Sequence, residues 1–168
     1  MSEAAFRAFE TRADAARALA NELAGVLAAA LERRGSAALV VSGGTSPVEM
    51  FHQLREQAID WTNVTVVPSD ERDVPPDHTD RNEGMIRREL LQGPAAAARL
   101  VSLIPPGEIP ERFHAVVLGM GVDGHTASLF PSSPDLQAAL ECARTENARL
   151  AAANERLSPC AHNHPEQH

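Results

Sequence analysis

The stretch HAVVLGMGVDGHTASLFP, residues 114–131, decides how the chain is read. It begins as a β-branched apolar run, which fits a strand buried in a sheet. It then breaks into a glycine-rich bend at Gly119, Gly121 and Gly124 and sets Asp123 and His125 side by side on it. Histidine exchanges protons near neutral pH, so a bend that exposes one at a strand end points to acid–base chemistry. A lone histidine is more often structural, but three glycines and an aspartate around it weaken that reading.

Upstream, the same grammar repeats. AALVVS (37–42) is a short continuous apolar run fit for a buried strand, NVTVVP (63–68) reads as a second buried strand, and RLVSLI (99–104) and HAVVLG (114–119) as the third and fourth. Between them lie helical patterns. Residues 3–34 carry apolar side chains at three- and four-residue steps and stop at Gly35. SPVEMFHQL has Ser46, Pro47 and Glu49 placed for a capping box, and DRNEGMIRRELL (80–91) has Asp80 and Glu83 at the same spacing. Strands alternating with helices predict an α/β fold, a Rossmann-like parallel sheet with helices on both faces. Ligands of such sheets bind beyond the carboxyl ends of the strands. Three loops should therefore meet there: SGGTSP, SDERDVPPDH and GMGVDGHT.

Each loop has a plain reading and a chemical one. SGGTSP is either a tight strand-to-helix turn or a phosphate cradle. Gly43 and Gly44 would allow close backbone approach, a helix N-terminus would supply amides, and Thr45 and Ser46 would add hydroxyls. It lacks the lysine of a P-loop and the third glycine of a dinucleotide fingerprint. The acidic cluster at 70–73 is either a solvated loop or a frame in which Asp70, Glu71 and Asp73 hold Arg72 rigid while its fork faces an anion.

Composition narrows the classes. The chain has 168 residues and a formal net charge of −8, which argues against general nucleic-acid binding. No apolar run approaches the ~20 residues needed to span a bilayer. The N-terminus does not read as a signal peptide, and the two cysteines, Cys142 and Cys160, form no metal spacing or disulfide framework. A reducing cytoplasm is the expected location.

At the three loops the chain resembles the 6-phosphogluconolactonase family. VSGGTSP, SDERDVPPDHTDRN and GMGVDGHTASLFP look like its three signature segments, in the family's order, over roughly residues 1–140. The wider superfamily includes glucosamine-6-phosphate deaminase. DER followed by VPPDH, and HTASLFP after the DGH, favour the lactonase. The resemblance implies hydrolysis of 6-phospho-D-glucono-1,5-lactone to 6-phosphogluconate in the oxidative pentose phosphate pathway. Its partner would be that small phosphosugar, with no metal or cofactor. His125 then resembles the catalytic histidine, a general base on water that returns the proton to the ring oxygen. Asp70 and Arg72 match the family's DER residues, and Asp123 would orient His125. Ser42, Gly43, Gly44, Thr45 and Ser46 match the sugar-phosphate loop, and Arg87 matches a family arginine.

The chain departs from the family pattern in three places. Arg81 stands where a serine is usual before the asparagine, and Ser132 where a glycine is usual. After about residue 140 the resemblance stops. The remainder reads as an atypical tail (141–168): an Ala/Arg-rich helix from about Pro134 to Leu157 runs into a polar coil, as a frameshift or mispredicted terminus would produce. Cys160, His162, His164 and His168 in that coil read as a solvated tail rather than a metal site. A sheet incomplete on its C-terminal side would have an open edge. It predicts marginal stability, aggregation or obligate association for the isolated chain, with little lactonase activity of its own. A deaminase-like enzyme and a remnant that binds phosphosugars without turnover are the competing functions.

Overall fold

The computed structural model describes residues 5–133 and the separate positions 136, 138, 141 and 145. The predicted helix beyond Pro134 and the polar tail fall outside the described residues apart from those positions. Residues up to Ser128 belong to one compact unit, and a second begins at Leu129.

Helix α1 spans Arg12–Arg34 and is shorter than the periodicity predicts. Thr11 explains the late start. Its Oγ1 accepts the Asp14 backbone N–H at 3.1 Å and donates to the Asp14 carboxylate at 2.7 Å, a local cap that outcompetes continuation upstream. Phe6 accordingly lies outside the helix and is exposed. At the other end Gly35 adopts φ 72° and donates to Leu31 O at 2.8 Å, as expected of a left-handed C-cap.

Strands β1 (Ala37–Val41), β2 (Val64–Pro68), β3 (Arg99–Leu100) and β4 (Ala115–Val116) form one parallel sheet in the order β3-β2-β1-β4. β1 and β2 pair over five residues, from Ala37–Val64 to Val41–Pro68. The outer strands are much shorter than their apolar runs. β3 gains one further bond, Val101 N–H to Val66 O, before Ser102 turns its hydroxyl onto Ile104 and two prolines follow. β4 likewise ends one bond later, at Val117 N–H to Val40 O, where the glycines begin.

Helices α2 (Val48–Leu54) and α3 (Asn82–Glu89) complete the layer. Leu23 and Leu27 of α1, Phe51 and Leu54 of α2, and Ile86 of α3 share one core with Leu39, Val41 and Val66 of the sheet. Each such large side chain contributes about 1.5–3 kcal/mol by leaving water. Among the described residues all three helices pack into this single core. The smaller cluster of Val40, Val67 and Val101 lies apart from it, so the expected helices on both faces are seen on one. No helix among the described residues is long and apolar enough to cross a membrane.

Candidate functional site

The carboxyl ends of β1, β2 and β4 release the three loops into one cavity. Ser42, Gly43, Gly44 and Ser46 line it from the first, Asp70 and Arg72 from the second, Gly121 and His125 from the third. Parallel strands require this convergence, and the residues named from sequence largely meet there. Thr45, Asp123 and Arg87 do not line it.

The first loop differs locally from its predicted form. Ser46 caps nothing by its side chain; α2 starts at Val48 after a turn in which Val48 N–H reaches Thr45 O at 3.4 Å. The cradle is therefore loop backbone at Gly43–Ser46, not the first helical turn. The two glycines serve different needs. Gly44 has φ 81°, where only glycine is unstrained. Gly43 is required for space, since a Cβ there would overlap the Asn82 side chain.

The second loop is organised by Glu71. Asp80 does not cap α3. The Glu71 carboxylate, buried to within 1% of full exclusion, accepts the backbone N–H of Asn82 and of Glu83, each at 2.8 Å. A side chain eleven residues upstream thus satisfies the orphan amides of the helix. Arg81 lies beside it, with its side chain 4% exposed. Its guanidinium donates to Val74 O at 3.0 Å and Ile104 O at 2.7 Å, and approaches Glu71 at 3.8 Å and Glu83 at 3.5 Å. This departure from the family pattern is an internal tie between two loops.

Arg72 is not clamped between carboxylates as the sequence suggested. Glu71 is committed to α3, and Asp70 accepts hydroxyls from Ser69 at 2.8 Å and Ser128 at 2.6 Å. A buried helix cap outweighs an exposed ion pair, so the Arg72 guanidinium is left on the cavity wall without a carboxylate partner among the described residues. Arg87 pairs with Glu83 at 2.8 Å on the exposed side of α3. Burial works to raise the pKa of Glu83, but hydrogen bonds from Arg87 and Ser102 and the charges of Arg87 and Arg81 hold it below its usual value.

In the third loop Asp123 Oδ1 lies 2.5 Å from His125 Nδ1 and accepts the His125 backbone N–H at 3.3 Å. The hydrogen bond from the imidazole, then that from the backbone, lowers the Asp123 pKa. The carboxylate therefore stays charged and fixes the ring through Nδ1. Gly124 turns the chain at φ 83°, and Gly121 leaves room for the ring, because a Cβ there would overlap the imidazole. Gly121 N–H also donates to His125 O at 2.8 Å and closes the loop on itself.

Two site residues escaped the sequence reading. Asn82 is 5% exposed, donates from Nδ2 to Asp70 O at 3.0 Å and packs against Gly43, so it joins the first loop to the second. Ser128 joins the second to the third through Asp70. Their only sequence signal is a small polar residue at a loop end.

The chain matches the family model described as glucosamine-6-phosphate isomerases/6-phosphogluconolactonase over residues 10–111 and 94–162. It is 47% identical over 144 residues to a protein of Pseudomonas aeruginosa named 6-phosphogluconolactonase, covering 77% of this chain and 60% of that one. A Neisseria meningitidis protein of the same name is 39% identical over 149 residues, covering 79% of this chain and 64% of that one. The crystal structure of a 6-phosphogluconolactonase from Shewanella baltica superposes with a TM-score of 0.76 at 38% identity, covering 82% and 65% of the two chains. The chain thus spans less than two thirds of the length of these relatives.

Proposed function

We infer a function for this chain from one premise: it belongs to the glucosamine-6-phosphate isomerase/6-phosphogluconolactonase family. Its reaction is the hydrolysis of 6-phospho-D-glucono-1,5-lactone to 6-phosphogluconate. The observation that carries this reading is His125, held through Nδ1 by Asp123, on the wall of a cavity that Gly43, Gly44, Ser46, Asp70 and Arg72 also line. The relatives at 39–47% identity carry the lactonase name, which favours hydrolysis over the isomerase branch.

With Asp123 holding Nδ1, the Nε2 of His125 is the nitrogen that takes a proton from water as the oxygen attacks the lactone carbonyl. The carbonyl electrons move to oxygen as the bond from water forms. Collapse re-forms the C=O and breaks the bond to the ring oxygen. The imidazolium returns the proton to that oxygen, so the base ends as it began. Arg72 and the Gly43–Ser46 backbone are the groups for the phosphate. Asp70 positions rather than reacts: it receives Ser69 and Ser128 and ties the loops together. No metal or redox step enters this chemistry.

Among the described residues Arg72 is the single arginine on the cavity wall, which also favours a second reading, phosphosugar binding without turnover. One assay separates the readings. Lactone hydrolysis is followed by proton release, beside ammonia release from glucosamine 6-phosphate and binding of 6-phosphogluconate, in wild type and His125→Ala. Hydrolysis that depends on His125, whether the chain works alone or in association, supports the proposal. Ammonia release without hydrolysis would move the chain to the isomerase branch. Binding alone, equal in both proteins, would leave it a binder.

A further inference from the structure

A second cavity lies at the amino edge of the sheet, among the starts of the strands. Arg34 from the last turn of α1, Ser36, Thr65, Arg99, Arg112 and His114 line it. Three guanidinium groups against one carboxylate, Glu111, make this a locally positive place on a chain whose net charge is −8. Among the described residues Arg34 and Arg112 have no hydrogen-bond or ion-pair partner, and Arg99 has only a long bond from Nε to Thr65 Oγ1 at 3.4 Å.

His114 separates this cavity from an ordinary solvated patch. Its Nδ1 accepts the Ala38 backbone N–H at 3.0 Å, so the neutral ring carries its proton on Nε2. That Nε2 is buried and has no hydrogen-bond partner. Buried donors are nearly always matched, and His114, which carries this one, lines the arginine-lined cavity, so an acceptor that reaches the ring edge from there would satisfy it. A cation is repelled here, and a neutral sugar needs no guanidinium groups. An oxyanion satisfies the arginines and the imidazole together, and guanidinium forks suit phosphoryl oxygens.

We propose that this amino-edge cavity binds a phosphoryl dianion, with Arg34, Arg99 and Arg112 supplying charge and His114 Nε2–H the buried donor. The strands between it and the His125 cavity are about five residues long, roughly 16 Å at the usual rise per residue, so the two sites are distinct. The inference does not depend on the lactonase reading.

The test is an NMR titration of the full isotope-labelled chain with inorganic phosphate and, separately, with glycerol 3-phosphate. Sodium chloride holds the ionic strength constant. The His114 imidazole signals should shift saturably. Arg34→Gln and Arg112→Gln, at exposed side chains with no partners to lose, should each weaken that binding about tenfold, the loss of one charge-assisted contact. Tighter binding of the ester would identify a phosphate metabolite as ligand, and equal or weaker binding free phosphate; both support the site. A linear response, a response confined to Gly43, Gly44 and His125, or unchanged affinity in both variants would overturn it.

Discussion

The loops after β2 and β4 face the same cavity but are held in different ways. After β2, two charged groups are spent on structure while Arg72 faces the cavity: Glu71 is buried against α3, and Arg81 is buried between two carbonyls and two carboxylates. After β4, Asp123 and His125 chiefly engage one another on an exposed bend, with one hydroxyl, Ser128, tying that bend to Asp70. In the proposed reaction the loop after β2 is the frame and the loop after β4 carries the reactive group. Buried charge can be pinned only where every lone pair finds a donor, whereas a base must keep one nitrogen for its substrate.

If this division is right, substitutions in the two loops fail differently. His125→Ala should lower lactone hydrolysis by about 10²–10⁴-fold, the usual worth of a general base, while the urea midpoint stays put. Glu71→Ala should do the reverse, costing about 3 kcal/mol in urea unfolding, because it uncaps α3 and strips a carboxylate from buried Arg81. An equal loss of stability in both variants would erase the distinction between frame and reactive group.

Smaller changes sharpen it. Gly121→Ala should displace the imidazole and lower hydrolysis by roughly tenfold to a hundredfold, with 6-phosphogluconate binding less affected. Ser128→Ala should change stability by no more than about 1 kcal/mol, since the hydroxyl is exposed, yet broaden the NMR signals of the 121–128 bend.

The finest test is a titration of the Asp123 carboxyl carbon. Its folded pKa lies below the unfolded one, chiefly through the His125 hydrogen bond. The stabilisation is therefore present above the ordinary carboxylate range of about 4, and is lost as pH falls through the lowered folded value. His125→Ala should raise the carboxyl midpoint toward its ordinary value, the backbone N–H retaining part of the lowering; an unchanged midpoint would break the pair.

How far the sequence foretold this follows from which interactions are local. β1 and β2 were legible because Ala37–Val41 is an unbroken apolar run and Val64–Pro68 is broken only by Thr65, and both lie at the sheet's centre. The outer strands were overread, because an apolar run does not reveal that its partner side is unpaired. Helix starts were misplaced where a nearby serine or aspartate imitated a cap. Thr11 with Asp14 outcompeted an earlier start, and Glu71 reached α3 across the loop. The site's residue types were visible, and parallel strands gathered them. What stayed hidden was allegiance: Arg87 pairs with Glu83, Asn82 braces Gly43, and Arg72 stands apart from its acidic neighbours.

The central claim, that three loops make one site, is tested most directly by an NMR titration of the full chain with 6-phosphogluconate. The account predicts that the Gly43 and Gly44 amides, the Arg72 guanidinium and the His125 ring all shift along one saturation curve with a single Kd. Shifts confined to one loop, or separate constants for the β1 and β4 loops, would contradict it.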